Sequence, residues 1–350
     1  MHGPMIHFAD GRRLGGGAPA RIVAEIGQNH NGSLEQAERL VDAAAWAGAD
    51  AVKTVKRDLD SELTAAAFAR RYDSPHAFGP TYGEHRRALE LSIDAHAALC
   101  ERAHRHGMAF VVTVCDVVSA ARMNELPLDA FKIASRDLNN LPLLEFTARL
   151  GRPMILSTGM SNVAEIDAAV EVVRGAGAPF ALLQCTSAYP APDGEVHLRS
   201  MATLAARYAA PVGFSDHTQG IVVAAAAAAL GAAALEKHLT LDRTLKGTDH
   251  ACSAEPHELQ QLVENVRRVE AALGAADKPL VEAVAGARAK LGRSLVTRTP
   301  LAAGTILDES MLTLKSPGDG VSWTRRGLIV GHRLRRDLEA DQVVQTEDVE

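Results

Sequence analysis

From about residue 20 the chain alternates short apolar runs with longer amphipathic ones. The short runs are RIVAEI (21–26), DAVKTV (50–55), AFVVTV (109–114), AFKIAS (130–135), PMILST (153–158), FALLQC (180–185), PVGFSD (211–216) and AALEKH (233–238). Each has the length and near-continuous hydrophobicity of a strand buried on both faces. The stretches between them have helical spacing and punctuated ends. SLEQAERLVDAAAWAG opens on Ser33, whose hydroxyl can cap a helix, and stops at Gly48. NVAEIDAAVEVVRGAG uses Asn162 and Gly175 in the same way, and EPHELQQLVENVRRVEAALG follows the last strand and stops at Gly274. Eight strand–helix units in roughly 255 residues predict an α/β protein built on a closed (β/α)8 TIM barrel. An open doubly wound sheet accommodates fewer strands, and no GxGxxG follows the first one.

The remaining segments break this rhythm. Residues 1–19 are Gly-rich, and we predict an N-terminal extension without assigned structure ahead of a barrel at 20–275. The interval 56–108 contains Pro75, Gly79, Pro80 and Gly83, and reads as a long functional loop after the second strand. Residues 276–289 read as a linker, and 290–350, with short strands, Gly/Asp turns and high charge, as a small β-rich second domain.

In such a barrel the active face is formed by the C-terminal strand ends. The residues that close the runs there are Glu25, Lys53, Thr113, Lys132 with Ser135, Ser157 with Thr158, Thr186 with Ser187 and Tyr189, Ser215 to His217, and Glu236 to His238. His217 and His238 end adjacent strands. Neighbouring strands lie about 4.8 Å apart, so both rings could hold one divalent cation acting as a Lewis acid. The alternative is that they satisfy loop backbone. Lys53 and Lys132 interrupt apolar strands, and a buried ammonium needs an anion. That anion is either internal (Glu25, Asp137 or Glu236) or a bound phosphate or carboxylate to which Ser135 and Thr113 add donors. Glu25 could orient water, act as a base or pair a lysine. Arg86 and Arg87 in TYGEHRRALE either grip a second anion or begin a solvated helix. Asp249 in KGTDH either binds hydroxyls or caps its loop. Together these groups suit activation of a carbonyl beside a phosphorylated anion.

Composition narrows the setting. A net charge of −6 argues against nucleic acid or an anionic membrane as partner. The four cysteines include no CxxC pair, and the longest apolar run, Ile221 to Leu235, is mostly alanine and too short to span a bilayer. No apolar run preceded by basic residues opens the sequence, so a cytoplasmic protein is expected.

The motifs AEIGQNHNGSLEQAERLVDAAAWAGADAVK, TYGEHRRALELS, FKIASRDLNNLPLLE, ILSTGM, LLQCTSAYP, VGFSDHTQG and EKHLTLDRTLKGTDHACSAEP resemble the N-acetylneuraminate (sialic acid) synthase family, in its animal-type branch. The tail from GRSLVTRTPLAAGTILDES onward resembles that family's antifreeze-like (SAF) domain. The resemblance implies a barrel that condenses phosphoenolpyruvate with an open-chain N-acetylhexosamine, such as N-acetylmannosamine or its 6-phosphate, giving a nine-carbon 2-keto acid and phosphate. It implies Mn²⁺, or else Mg²⁺ or Co²⁺, on His217 and His238. Lys53, Thr113, Lys132, Ser135 and Ser215 are implied for phosphoenolpyruvate, and Glu25 for the water that attacks its C2. Asp137, Ser187, Tyr189, Asp249 and Arg86 are implied for the sugar. A domain-swapped homodimer is implied as well. The chain departs from the family pattern at Arg136-Asp137, at Thr54-Val55 after the strand-two lysine, and at Ser316, where bacterial members often carry an arginine. Two other readings compete: a metal-dependent aldolase on the same barrel, and a non-catalytic carbohydrate-binding protein.

Overall fold

Strands buried on both faces must alternate between the barrel interior and the surrounding helices, and that alternation organises the protein. The computed structural model describes residues 4–350. The chain divides into two compact units, 1–274 and 275–350. The first opens with a two-stranded antiparallel hairpin, β1 (Met5–His7) and β2 (Arg13–Gly15). Each of the eight apolar runs then forms a parallel strand: β3 (Arg21–Glu25), β4 (Ala51–Lys56), β5 (Ala109–Val114), β6 (Ala130–Ile133), β7 (Met154–Ser157), β8 (Phe180–Cys185), β9 (Val212–Asp216) and β10 (Ala234–His238). They close into the predicted barrel, in which β10 pairs with β3.

Outward-facing residues such as Ile22, Val52, Phe110, Phe131, Leu182 and Phe214 belong to one large buried cluster with the helices. Their inward-facing neighbours, including Val23, Ala51, Val111, Ala130, Ile155, Leu183 and Ala234, form a second cluster inside the ring. Gly213 fits this interior because a Cβ there would come within 2.5 Å of the Ala234 carbonyl and 2.7 Å of Leu183.

The interior cluster is completed by Ile6, Phe8 and Leu14. Residues 1–19 were assigned no structure from sequence, yet 5–15 form a hairpin whose apolar side fills the N-terminal end of the barrel. The interval 56–108 also departs from its reading as one long loop. It holds helices at Leu59–Glu62, Ala65–Ala69, Tyr82–Ala88 and Ile93–Arg105. Local capping explains them. Thr81 and Glu84 form a reciprocal capping box, and Asp58, Thr64 and Ser92 accept from the first-turn amides of the other three. No described helix is long and apolar enough to cross a membrane.

The second unit holds an exposed helix, Ala285–Leu291, where sequence suggested only a linker, and an antiparallel pair, β11 (Ser294–Thr297) with β12 (Leu312–Lys315). Its own small core is built from residues including Leu295, Leu307, Leu312, Ile329, Leu334 and Val344.

Candidate active site

Above the apolar interior, the inward positions two residues further along each strand turn polar. Val23 is followed by Glu25, Ala51 by Lys53, Val111 by Thr113, Ala130 by Lys132, Gly213 by Ser215 and Ala234 by Glu236. These residues border a cavity of about 600 Å³ at the C-terminal strand ends. Register sets them side by side, with Glu25 opposite Lys53 on one side and His238 on the other.

Both lysines are met by the protein's own carboxylates. Lys53 pairs with Glu25, donates to the Thr113 hydroxyl at 3.0 Å and lies 3.6 Å from Glu236. Lys132 donates to both oxygens of Glu236 at 2.9 Å, and Ser215 donates to the same carboxylate at 3.0 Å. The internal salt bridge and the open cavity therefore coexist. Burial raises the Glu25 pKa despite Lys53. Burial would also raise Glu236, but Lys132 and Lys53 hold it well below the usual carboxylate range. Lys132 is pushed down by burial, offset in part by Glu236. For Lys53, Glu236 and Glu25 outweigh burial and raise the pKa. Two nearly dry carboxylates and two nearly dry ammoniums thus differ widely in proton affinity, as acid–base chemistry requires.

His217 and His238 stand beside this quartet with ring centres 5.5 Å apart. The Nδ1 of His217 donates to the Thr186 carbonyl at 2.8 Å, which leaves the lone pair on Nε2. Burial lowers the His238 pKa, and its Nδ1 is buried with no hydrogen-bond partner; an Asp249 carboxylate oxygen is 3.9 Å away. Two rings at this spacing, one with an orphaned buried nitrogen, fit a divalent cation. No cluster of three potential ligands forms among the described residues, so these two rings would be the protein's donors to such an ion.

The wall carries most of the residues expected at a sugar site. Tyr189 lies 4.2 Å from the His217 ring, and Ser187, Asp249 and Arg86 also face the cavity. Ser135 lines it while accepting from the Gly159 amide at 3.0 Å. Asp137 does not line it. A 3₁₀ turn over Ser135–Asp137 follows β6, and Arg136, which does line the cavity, holds the Asp137 carboxylate at 3.2 Å. Sequence reasoning also missed Arg57, His76, Cys115 and Cys185. The cysteines were findable, since each lies two residues beyond an inward position, Thr113 or Leu183. The Arg57 guanidinium, buried between Glu62 and Glu90, follows the same parity, four residues beyond Lys53. Asp216 and Lys237 point away from the cavity and pair with each other at 3.0 Å.

A closed parallel barrel with ionisable groups gathered at its C-terminal strand ends is the architecture of a barrel enzyme. The sequence model of the NeuB family matches residues 40–278, and that of the SAF domain matches 292–350. The chain belongs to the NeuB family and carries a SAF domain. It is 39% identical over 348 residues to human N-acetylneuraminate-9-phosphate synthase, covering 99% of this chain and 97% of the relative. It is 37% identical to N,N'-diacetyllegionaminic acid synthase from Campylobacter jejuni, covering 93% and 98%. Among solved structures it is similar to N-acetylneuraminic acid (sialic acid) synthetase from Leptospira borgpetersenii serovar Hardjo-bovis in complex with citrate. That likeness has a TM-score of 0.72 at 34% identity and covers 82% of this chain and 95% of the other.

Proposed function

We propose that this chain is a phosphoenolpyruvate-dependent sialic acid synthase. It joins C3 of phosphoenolpyruvate to the aldehyde carbon of an open-chain N-acetylhexosamine, adds water at C2 and releases inorganic phosphate. The observation that carries this reading is the quartet Lys53–Glu25 and Lys132–Glu236, buried yet bordering an open cavity. A purely structural quartet gains nothing from a cavity beside it, whereas an anionic substrate needs desolvated ammoniums it can share.

In this mechanism the substrate phosphate and carboxylate take donors from Lys53, Thr113, Lys132, Ser135 and Ser215. Sharing Lys53 loosens its hold on Glu25, whose burial already favours taking a proton. Glu25 then orients the water and accepts its proton as the oxygen bonds to C2. The C2–O bond breaks, its electron pair leaves with phosphate on the bridging oxygen, and C2 becomes a ketone as its new hydroxyl loses a proton; the two protons of the consumed water end on the former aldehyde oxygen, now a hydroxyl, and on phosphate. His217 and His238 would hold a divalent cation, Mn²⁺ or alternatively Mg²⁺ or Co²⁺, which would supply Lewis-acid polarisation of the aldehyde oxygen when bound. Tyr189 packs beside the His217 ring at the cavity wall, while Asp249 accepts from and Ser187 donates to sugar hydroxyls.

The acceptor we favour is N-acetylmannosamine 6-phosphate. The relatives named N-acetylneuraminate-9-phosphate synthase support it, and so does Arg86 on the cavity wall. The SAF domain supports a homodimer in which each small domain covers the other copy's barrel. A cytoplasmic setting agrees with four free cysteines.

The test is a phosphate-release assay with phosphoenolpyruvate, Mn²⁺ and N-acetylhexosamines with and without a 6-phosphate. Release is expected only when both substrates are present, is lost after EDTA dialysis and returns with Mn²⁺. Unchanged turnover after EDTA removes the metal role. Cleavage of a keto acid without phosphoenolpyruvate chemistry favours the aldolase instead.

A further inference from the structure

Gln28 lies in the loop after β3 with φ at +69°, a left-handed conformation that is unfavourable for a residue with a side chain. Both ends of its amide are used. Its Oε1 accepts from Arg86 Nη1 at 2.7 Å, and its Nε2 donates to Asp249 Oδ2 at 3.3 Å. These unlike partners fix the orientation, because a flipped amide would set oxygen against carboxylate and nitrogen against guanidinium. Arg86 is held from its other side by the Tyr82 hydroxyl, at 2.9 and 2.7 Å, and Asp249 by the Thr248 hydroxyl at 2.8 Å. Gln28, Arg86 and Asp249 all border the cavity. The cation and the anion share one amide, and no direct ion pair forms between them among the described residues.

We propose that Gln28 is a positioning residue: a neutral spacer that keeps Arg86 and Asp249 from neutralising each other. Arg86 thereby stays available to an anionic group on the acceptor, and Asp249 to its hydroxyls. Without the spacer the two side chains are free to meet as a salt bridge, which removes both from the substrate. The backbone strain at position 28 is consistent with this role, because the left-handed turn lets one short amide reach a helix and a loop far apart in sequence. The inference rests on the reading of the cavity as an amino-sugar site.

The experiment compares Gln28→Met with the wild-type full chain. Methionine keeps the length and the unfavourable backbone conformation while removing both hydrogen bonds. Expected is a roughly tenfold rise in acceptor KM, with phosphoenolpyruvate KM within about twofold and the melting temperature unchanged. The preference for a 6-phosphorylated over an unphosphorylated acceptor should fall. In an Arg86→Met background, Gln28→Met should no longer alter that preference. Gln28→Glu, which pairs with Arg86 and repels Asp249, should be worse than Gln28→Met. If the methionine variant does not fold, Gln28→Asn gives the same readout, since asparagine tolerates the left-handed region but is too short to bridge. Unchanged acceptor KM and preference, or an equal rise in both KM values, overturns the proposal. Failure of the wild type to release phosphate with any acceptor overturns the functional reading first, before any variant is compared.

Discussion

The two ends of the barrel are built from the same strands by opposite chemistry. At the N-terminal end, Ile6, Phe8 and Leu14 close over Val23, Ala51, Ala109 and Ala130 in a dry apolar plug. Two residues higher on β3, β4 and β6, Glu25, Lys53 and Lys132 border a cavity. The lower end gains stability from close packing. The upper end gives some of it up, because desolvated charges cost more than they return unless every partner is present. Lys132 on β6 spans the ring to reach Glu236 on β10, the strand opposite it.

The largest effect that could break this comparison is at the upper end. Lys132→Met should strip buried Glu236 of its nearest cation, leaving only Ser215 and the more distant Lys53, lowering stability by about 3 kcal/mol and phosphate release by roughly 10²–10³-fold. Adding Glu236→Leu should recover most of the stability, measured by denaturant unfolding, and none of the activity. A single variant with near-normal turnover would mean that the upper charges are structural. At the lower end, Leu14→Ala should cost about 2–5 kcal/mol while leaving kcat and both KM values unchanged wherever the protein is folded. A shift in KM would show that the plug communicates with the site.

The smallest effect concerns acid. His30 and His96 are buried, and burial lowers their pKa values to about 3 and about 4. Both are neutral in the fold and protonate more readily in the unfolded chain. Their contribution is therefore intact above about pH 6.5 and is lost as pH falls toward the folded values, at up to about 1.4 kcal/mol per unit for each group. Melting temperature should decline from pH 6.5 to 5, and His96→Gln should flatten that decline.

Strands were legible because burial on both faces makes an apolar run, and the site was legible because Lys53 and Lys132 interrupt such runs. The hairpin was not, since MIH and RLG are three residues each among glycines, and what orders them lies across the barrel rather than nearby in sequence. The helices at 59–62, 65–69 and 82–88 are too short for periodicity to register, and only their caps betray them. Asp137 misled because strand parity ends at Ile133, and the 3₁₀ turn that follows presents Arg136 in its place.

The pairing of β10 with β3 has a further consequence. It is the seam at which the ring shuts, and it sets His238 directly across from Glu25. Until that last edge latches onto the first, the imidazole and the carboxylate belong to distant parts of an open sheet. Recovery of turnover during refolding is thus a direct signal of ring closure, whereas helix content reports only the assembly that precedes it.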